Sequence, residues 1–234
     1  MPLPDVDTPA IAVVTGASRG IGRAVALRLA SRYRIVAVAR DKARLQTLAE
    51  EIKAAGGACN ATAADLRDPS SIDRALRGVR ADVVVNNAGV ITKKPITAMT
   101  SAEWHEMMDV NLNAIFHVTR NVLPGMIERG RGHIVNIASI AGRSAFPGGT
   151  GYVATKHAVL GFSESLMLEV RQHGVKVSVV MPGSVATDML VGDNPDRSWM
   201  LRPDDVAEVV AQILSSPAHA LTYQVEVRAA NPKK

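Results

Sequence analysis

Short, unbroken apolar runs alternate along this chain with longer stretches in which apolar residues recur every three or four positions. The runs at 10–14 (AIAVV), 35–39 (IVAVA), 82–87 (DVVVNN), 133–139 (HIVNIAS) and 176–182 (KVSVVMP) predict buried strands, with weaker strands at 59–64 and 222–227. The intervening spacing predicts helices over 21–31, 70–77, 152–173 and 203–214. A further helix is capped by Asp41 and carries Leu45, Leu48 and Ile52 on one face. Thr100 with Glu103 forms a capping box that opens a long helix through Trp104, Met108, Leu112, Ile115, Val118 and Val122, where Pro124 is placed to kink or end it. Gly174 is the stop signal for the helix that begins near Tyr152. Strands that do not alternate, joined by helices, predict a doubly wound α/β domain. Its sheet has seven strands, mostly parallel, with helices on both faces and a ligand site at the strands' carboxyl ends. One such domain is expected over 10–228, with loose tails at 1–9 and 229–234.

Composition narrows the setting. The 234 residues are 47% hydrophobic but only 3% aromatic, so the core must be built from aliphatic side chains. Cys59, the single cysteine, cannot form an internal disulfide and reads as a small apolar core residue, which fits a reducing compartment. The net charge of +5 is spread among acids, without a basic run or base-stacking aromatics, and so argues for a small polyanionic ligand rather than nucleic acid. MPLPDVDTPA lacks the features of a secretory signal and no apolar run reaches membrane-span length, so a cytoplasmic protein without a membrane partner is expected. No metal site is expected.

Two segments carry chemistry. Tyr152 and Lys156 stand one helical turn apart in YVATK, with Ser139 upstream. A nearby ammonium stabilises a phenolate and lowers its pKa, which would let Tyr152 exchange a proton with a substrate oxygen near neutral pH. Taken alone, the pair reads first as a surface tyrosine beside a solvated lysine. After the first strand comes Thr15-Gly16-Ala17-Ser18-Arg19-Gly20-Ile21-Gly22, a glycine-rich turn into a helix whose N-terminus suits a diphosphate. The second strand ends at Ala39-Arg40 without the acid that takes ribose hydroxyls in NAD-selective folds. Arg40, with Arg19, is instead suited to a 2′-phosphate, unless Arg40 merely pairs with Asp41.

With these motifs in order, the chain resembles the short-chain dehydrogenase/reductase family over nearly its whole length, in its NADP-preferring branch. TGASRGIG matches the family's cofactor loop, Asn86-Asn87-Ala88-Gly89 its NNAG motif, Pro182-Gly183 and Thr187 the motif after the sixth strand, and Asp65-Leu66 the acidic adenine contact. Asn111, Ser139, Tyr152 and Lys156 match its catalytic tetrad. The resemblance implies a Rossmann-type fold and reversible hydride transfer between NADP(H) and a small-molecule carbonyl or alcohol. Tyr152 would be the acid in reduction, with its pKa lowered by Lys156, which also binds the nicotinamide ribose. Ser139 would hydrogen-bond the substrate oxygen and Asn111 would hold a water on the proton path. Thr187 and the backbone of Val185 would anchor the carboxamide. Asn86 and Asn87 would also join neighbouring strands. Asp65 reads alternatively as a cap for the helix after Pro69, and Asn111 as a group satisfying backbone in a bent helix.

Specificity is expected from residues 90–98, 140–151 and 184–202, the last with Met189, Leu190, Trp199 and Met200 as candidate pocket residues. No arginine cluster marks an acyl-carrier or coenzyme A partner. The helices near Thr100 and Tyr152 carry more apolar positions than one sheet face covers, and in the family they commonly serve a homodimer or homotetramer. Two alternatives stay open: an NAD-linked alcohol or polyol dehydrogenase, against which Arg40 argues, and a non-catalytic dinucleotide-sensing regulator, against which the complete tetrad argues.

Overall fold

Seven strands form one sheet: β1 (Ile11–Thr15), β2 (Arg34–Ala39), β3 (Cys59–Ala63), β4 (Val83–Asn86), β5 (Gly132–Ile137), β6 (Val175–Pro182) and β7 (Gln224–Val227). In this computed structural model, which describes residues 9–189 and 196–232, their order is β3-β2-β1-β4-β5-β6-β7, with every neighbouring pair parallel. The expected mostly parallel sheet is thus wholly parallel. The central strands are Val-rich because both of their faces are covered. On one side lie α1 (Gly20–Leu29), α2 (Lys42–Ala54) and α7 (Pro203–Leu214), through Val25, Leu48 and Val210 among others. On the other lie α3 (Pro69–Leu76), α5 (Ala114–Glu128) and α6 (Thr150–Val170), through Ile72, Val118 and Leu166.

From β1 the chain winds outward through β2 and β3, then returns to place β4 on β1's other side. Neighbouring loops therefore diverge at the carboxyl ends of β1 and β4 and leave a cleft there. A buried polar chain ties the strands beneath it. Asn86 Nδ2 donates to Asn136 Oδ1 at 2.9 Å, Asn136 Nδ2 to Ser163 Oγ at 2.8 Å, and Ser163 Oγ to the Val159 carbonyl at 2.6 Å. Asn86 thus joins β4 to β5, the strand-joining role expected of it.

The long helix departs from expectation. The Thr100–Glu103 capping box is present, but it opens a helix of only two turns, α4 (Ser101–Met108). A π-helical turn, Asp109–Asn113, then precedes α5. Pro124 does not end this run. It lies inside α5 on the exposed side, where water can serve the carbonyl that its missing N–H leaves unpaired. The cap of α3 is Asp68, whose carboxylate accepts from the Ser70 N–H at 2.9 Å, so Asp65 is not that cap. Cys59 is half-buried at the edge of the core rather than within it, and its burial pushes the thiol pKa up. Helix α6 and a 3-10 turn, Arg171–His173, end at Gly174 as expected.

Candidate active site

The cleft holds two adjoining cavities of about 420 and 390 Å³, which share Ile21, Asn87, Gly89, Thr187 and Met189. The first is built on the β1–α1 turn. Gly16 has φ +66°, and a Cβ there would stand 2.9 Å from the Ala88 Cα. At Gly22 a Cβ would fall 2.4 Å from the Gly16 carbonyl oxygen. These positions exclude side chains because the loop folds back on its own helix and against the segment after β4. Thr15 provides the tie between the two: its Oγ1 accepts from the Asn87 N–H at 3.0 Å and the Ala88 N–H at 3.2 Å. In return, Asn87 Nδ2 donates to the Thr15 carbonyl at 3.0 Å. The N-cap of α1 is Arg19, which makes no side-chain cap, and no acid occupies the first turn. Its first N–H groups and the positive end of its dipole suit a phosphate group.

At the outer end of this cavity Arg19, Arg40 and Arg44 line the wall with Asp41 and Asp188. Asp65 and Leu66 lie on the same wall. The Asp65 carboxylate is held by Arg67, whose Nε donates at 3.0 Å and whose second nitrogen lies at 2.6 Å, and this guanidinium holds its pKa down at about 2.

The second cavity contains Ser139, Tyr152 and Lys156. Ser139 is the N-cap of a 3-10 turn, Ile140–Gly142, just past β5, and its Oγ accepts from the Ala141 N–H at 3.1 Å. Tyr152 and Lys156 share a face of the first turns of α6. Lys156 is 3% exposed, and its Nζ donates to the Ile137 carbonyl at 3.0 Å while lying 5.6 Å from the centre of the Tyr152 ring. Burial pulls its pKa down to about 8. The expected lowering of the Tyr152 pKa is not what this arrangement gives. Burial pushes the phenol up, and the Ser139 hydroxyl opposes that only in part. The Lys156 ammonium donates instead to the Ile137 backbone carbonyl, and burial is the largest influence on the phenol.

Asn111 sits in the π-helical turn, fully buried. Its Oδ1 accepts from the Val90 N–H at 2.8 Å, and its Nδ2 donates to the Val90 carbonyl at 2.9 Å and to Thr155 Oγ1 at 3.1 Å. The side chain therefore clamps the chain after Gly89 onto α6. A Cβ on Gly89 would stand 3.4 Å from Asn111 Oδ1 and 3.9 Å from Lys156 Nζ, so both lie directly behind that glycine. Single-turn π insertions are frequent at functional sites, because they redirect one side chain without ending the helix.

Apart from Gly22 and Asn111, which lie behind the surface, every residue assigned to the site by the sequence lines one cavity or the other. Gly16, Ser18, Arg19, Gly20, Arg40, Asp65, Leu66 and Ala88 line the first, and Pro182, Gly183 and Val185 the second. Of the candidate pocket residues, Met189 lines both cavities, Trp199 and Met200 line neither, and Leu190 lies outside the described residues. The sequence reading gave the Thr15 side chain no role of its own and did not single out Arg44 or Asp188. Thr15 stands directly before the first loop glycine and Arg44 one turn beyond Arg40, so both carried a local signal. The second cavity's remaining wall is mainly Ile91, Ile140, Ala145, Phe146 and Met189, with the hydroxyls of Ser144 and Ser184. Among the described residues no cluster of His, Cys, Asp or Glu forms a metal site, and no helix is long and apolar enough to cross a membrane.

This cleft, at the switch point of a parallel sheet and between a glycine cradle and a Ser–Tyr–Lys group, defines a dinucleotide-linked oxidoreductase. The family model described as short chain dehydrogenase matches residues 10–198. An uncharacterized oxidoreductase of Staphylococcus aureus (strain N315) is 34% identical, over 94% of this chain and 97% of its own. A metagenomic short-chain oxidoreductase solved in complex with NADP is 39% identical with a TM-score of 0.86, covering 96% of this chain and 99% of that one. An alcohol dehydrogenase from the archaeon Thermococcus sibiricus, complexed with 5-hydroxy-NADP, is 30% identical with a TM-score of 0.87 over 96% of this chain and 99% of that one. The chain belongs to the short-chain dehydrogenase/reductase family.

Proposed function

We propose that the protein is an NADP(H)-dependent carbonyl reductase acting on uncharged, largely apolar ketones or aldehydes, and reversibly on the matching secondary alcohols. The observation that carries this reading is the junction of the two cavities. An arginine-lined cavity adjoins a mainly apolar one that presents Ser139 and Tyr152, and the two share Ile21, Asn87, Gly89, Thr187 and Met189. The residues present fit the cofactor. Gly16, Ser18 and Gly20 line the first cavity at the start of α1, whose first N–H groups carry no side-chain cap and would face a diphosphate. Arg19 and Arg40 offer charge-assisted bonds to a 2′-phosphate, and Asp65 and Leu66 flank the adenine end. Thr187 and the backbone of Val185 would hold the carboxamide, and Lys156, behind Gly89, would hold the nicotinamide ribose. When bound, the cofactor supplies or accepts the hydride.

Ser139 Oγ donates to the substrate carbonyl oxygen and stabilises the charge that develops there. Tyr152 gives that oxygen its proton. Burial keeps the phenol protonated, the form that reduction starts from. Lys156, with its pKa already down at about 8, is a ready donor to replenish that proton. Asn111 positions this group through its clamp on Val90 and Thr155, and the water that continues the path would be held at its π-helical turn. The pocket wall beyond the reacting groups is mainly apolar, with Ser144 and Ser184 as its polar exceptions, which favours a carbonyl flanked by hydrocarbon groups.

We further infer a homo-oligomer built on α5 and α6, supported by Phe116 and Leu168, which leave 46% and 52% of their surface exposed on these helices. A cytoplasmic setting is in keeping with the single half-buried cysteine.

The test is NADPH oxidation, followed at its nicotinamide absorbance, over neutral ketones, aldehydes, quinones and 3-oxoacyl thioesters. Turnover on the neutral carbonyls is expected. Turnover confined to thioesters or charged oxo-acids would contradict the pocket reading, and NADPH binding without any turnover would favour a dinucleotide sensor.

A further inference from the structure

Arg44 and Asp188 play no part in the chemistry above, yet they meet at the mouth of the cofactor cavity. Asp188 follows Thr187 in a turn pinned from two sides: the Thr187 N–H donates to the Val185 carbonyl at 2.8 Å, and an Arg197 guanidinium nitrogen donates to the Thr187 carbonyl at 3.2 Å. The same turn rests on the start of α1, since a Cβ on Gly20 would lie 3.2 Å from Thr187 Cγ2. From that anchored position the Asp188 carboxylate reaches across the opening. One of its oxygens, Oδ2, lies 3.4 Å from a guanidinium nitrogen of Arg19 and 3.9 Å from one of Arg44. Arg44 is also drawn toward Asp41, the N-cap of its own helix, at 3.4 Å. A single carboxylate oxygen thus sits between two cations from different elements, in the wall that Arg40 completes. The sign of its charge and its two-arginine setting are those a phosphate would adopt there.

We propose that Arg44 is a third cation reading the 2′-phosphate, beside Arg19 and Arg40, and that Asp188 is an internal competitor which holds Arg19 and Arg44 until the phosphate displaces it. This rests on the NADP(H) reading above. The carboxylate carries one negative charge and makes only long contacts at an exposed site, where ion pairs are weak. A phosphate ester carries more charge and more acceptor oxygens, so it wins the arginines. A ligand without the 2′-phosphate gains nothing from Arg44 and leaves the pairs intact. Asp188 thereby costs some NADP(H) affinity without affecting NAD(H), and it keeps two flexible arginines gathered at the site rather than dispersed in solvent.

Fluorescence titration of NADPH and NADH against the full-length wild type, Asp188→Asn, Arg44→Gln, Arg19→Gln/Arg44→Gln and the triple variant decides the matter. Asp188→Asn is expected to tighten NADPH binding about 2- to 5-fold, the value of releasing weak exposed pairs, and to leave NADH binding unchanged. Arg44→Gln is expected to weaken NADPH about tenfold, the loss of one charge-assisted bond, again with NADH unchanged. In the Arg19→Gln/Arg44→Gln background the Asp188→Asn gain should vanish, because nothing remains to be released. A gain that persists there would mean Asp188 merely repels the cofactor through space, and an absent gain or an indifferent Arg44→Gln would also overturn the proposal. If the wild type itself binds NADH as tightly as NADPH, the NADP(H) reading fails and takes this proposal with it. If the wild type prefers NADPH and only the variants misbehave, the competitor alone is wrong.

Discussion

Thr15→Val removes one oxygen and keeps the side chain's shape, so it isolates the tie across the switch point. Thr15 is 3% exposed, and its Oγ1 accepts from the Asn87 and Ala88 N–H groups at 3.0 and 3.2 Å. The valine leaves both donors without that partner in a segment that is only partly open to water. Leaving a buried donor unpaired costs about 1–3 kcal/mol, and since these two are partly buried, about 1–3 kcal/mol for both together is the reasonable total. A chain of 234 residues gains about 0.5 kcal/mol per kelvin of unfolding entropy at its midpoint, so the Tm should fall by about 2–6 °C. Asn87, Ala88 and Gly89 wall the cofactor cavity, so a loosened segment should also weaken NADPH binding, by about tenfold if roughly 1.4 kcal/mol of the loss is felt there. The assays are thermal unfolding and NADPH fluorescence titration. Thr15→Ser is the control: it loses a buried methyl, worth about 1 kcal/mol, but keeps the acceptor and should keep the affinity. If Thr15→Val binds NADPH as tightly as Thr15→Ser and melts with the wild type, the tie does not hold the site together.

Two further predictions concern the cofactor end and the core. Arg40→Asp should move the ratio of kcat/KM for NADPH over NADH toward NADH by at least tenfold, as one phosphate bond is replaced by repulsion, and an unchanged ratio would mean Arg40 does not read the phosphate. His133 is buried, its Nε2 lies 2.8 Å from Ser178 Oγ, and burial with the nearby Lys176 holds its pKa down at about 4. A histidine kept neutral in the fold binds fewer protons than in the unfolded chain between about pH 4 and 6.5. Its contribution is therefore intact above about 6.5 and is lost as pH falls toward 4. His133→Gln, compared with the wild type by urea unfolding, should escape roughly 2 kcal/mol of the stability lost between pH 7.5 and 5. Equal losses in the two proteins would remove His133 as the cause.

Much of the architecture was legible because local chemistry and tertiary environment agree. Unbroken Val and Ile runs are what a strand buried on both faces requires, and the Thr100–Glu103 capping box and Asp41 mark their helix starts wherever the helices pack. The π-helical turn at Asp109–Asn113 was not legible, since a single-turn insertion leaves apolar residues on either side at helical spacing. Pro124 misled for a related reason: its cost depends on whether its side of the helix faces water, which only packing decides. At the site, four-residue spacing placed Tyr152 and Lys156 on one face. It said nothing of the Ile137 carbonyl, which β5 brings to the lysine and which accepts from its ammonium at 3.0 Å. Thr15, Asn87 and Asp188 act on partners far away in the chain, so their roles appear only once the sheet has brought β1, β4 and β6 together.

The central claim is that Tyr152 delivers the proton in a carbonyl reduction driven by NADPH. Tyr152→Phe removes one hydroxyl from a side chain whose ring still packs 6.5 Å from Phe146. On whichever carbonyl the wild type reduces, the variant should bind NADPH with wild-type affinity and lose about 10²–10⁴-fold in kcat, the contribution of a positioned general acid. Turnover within tenfold of the wild type, at unchanged NADPH affinity, would contradict it.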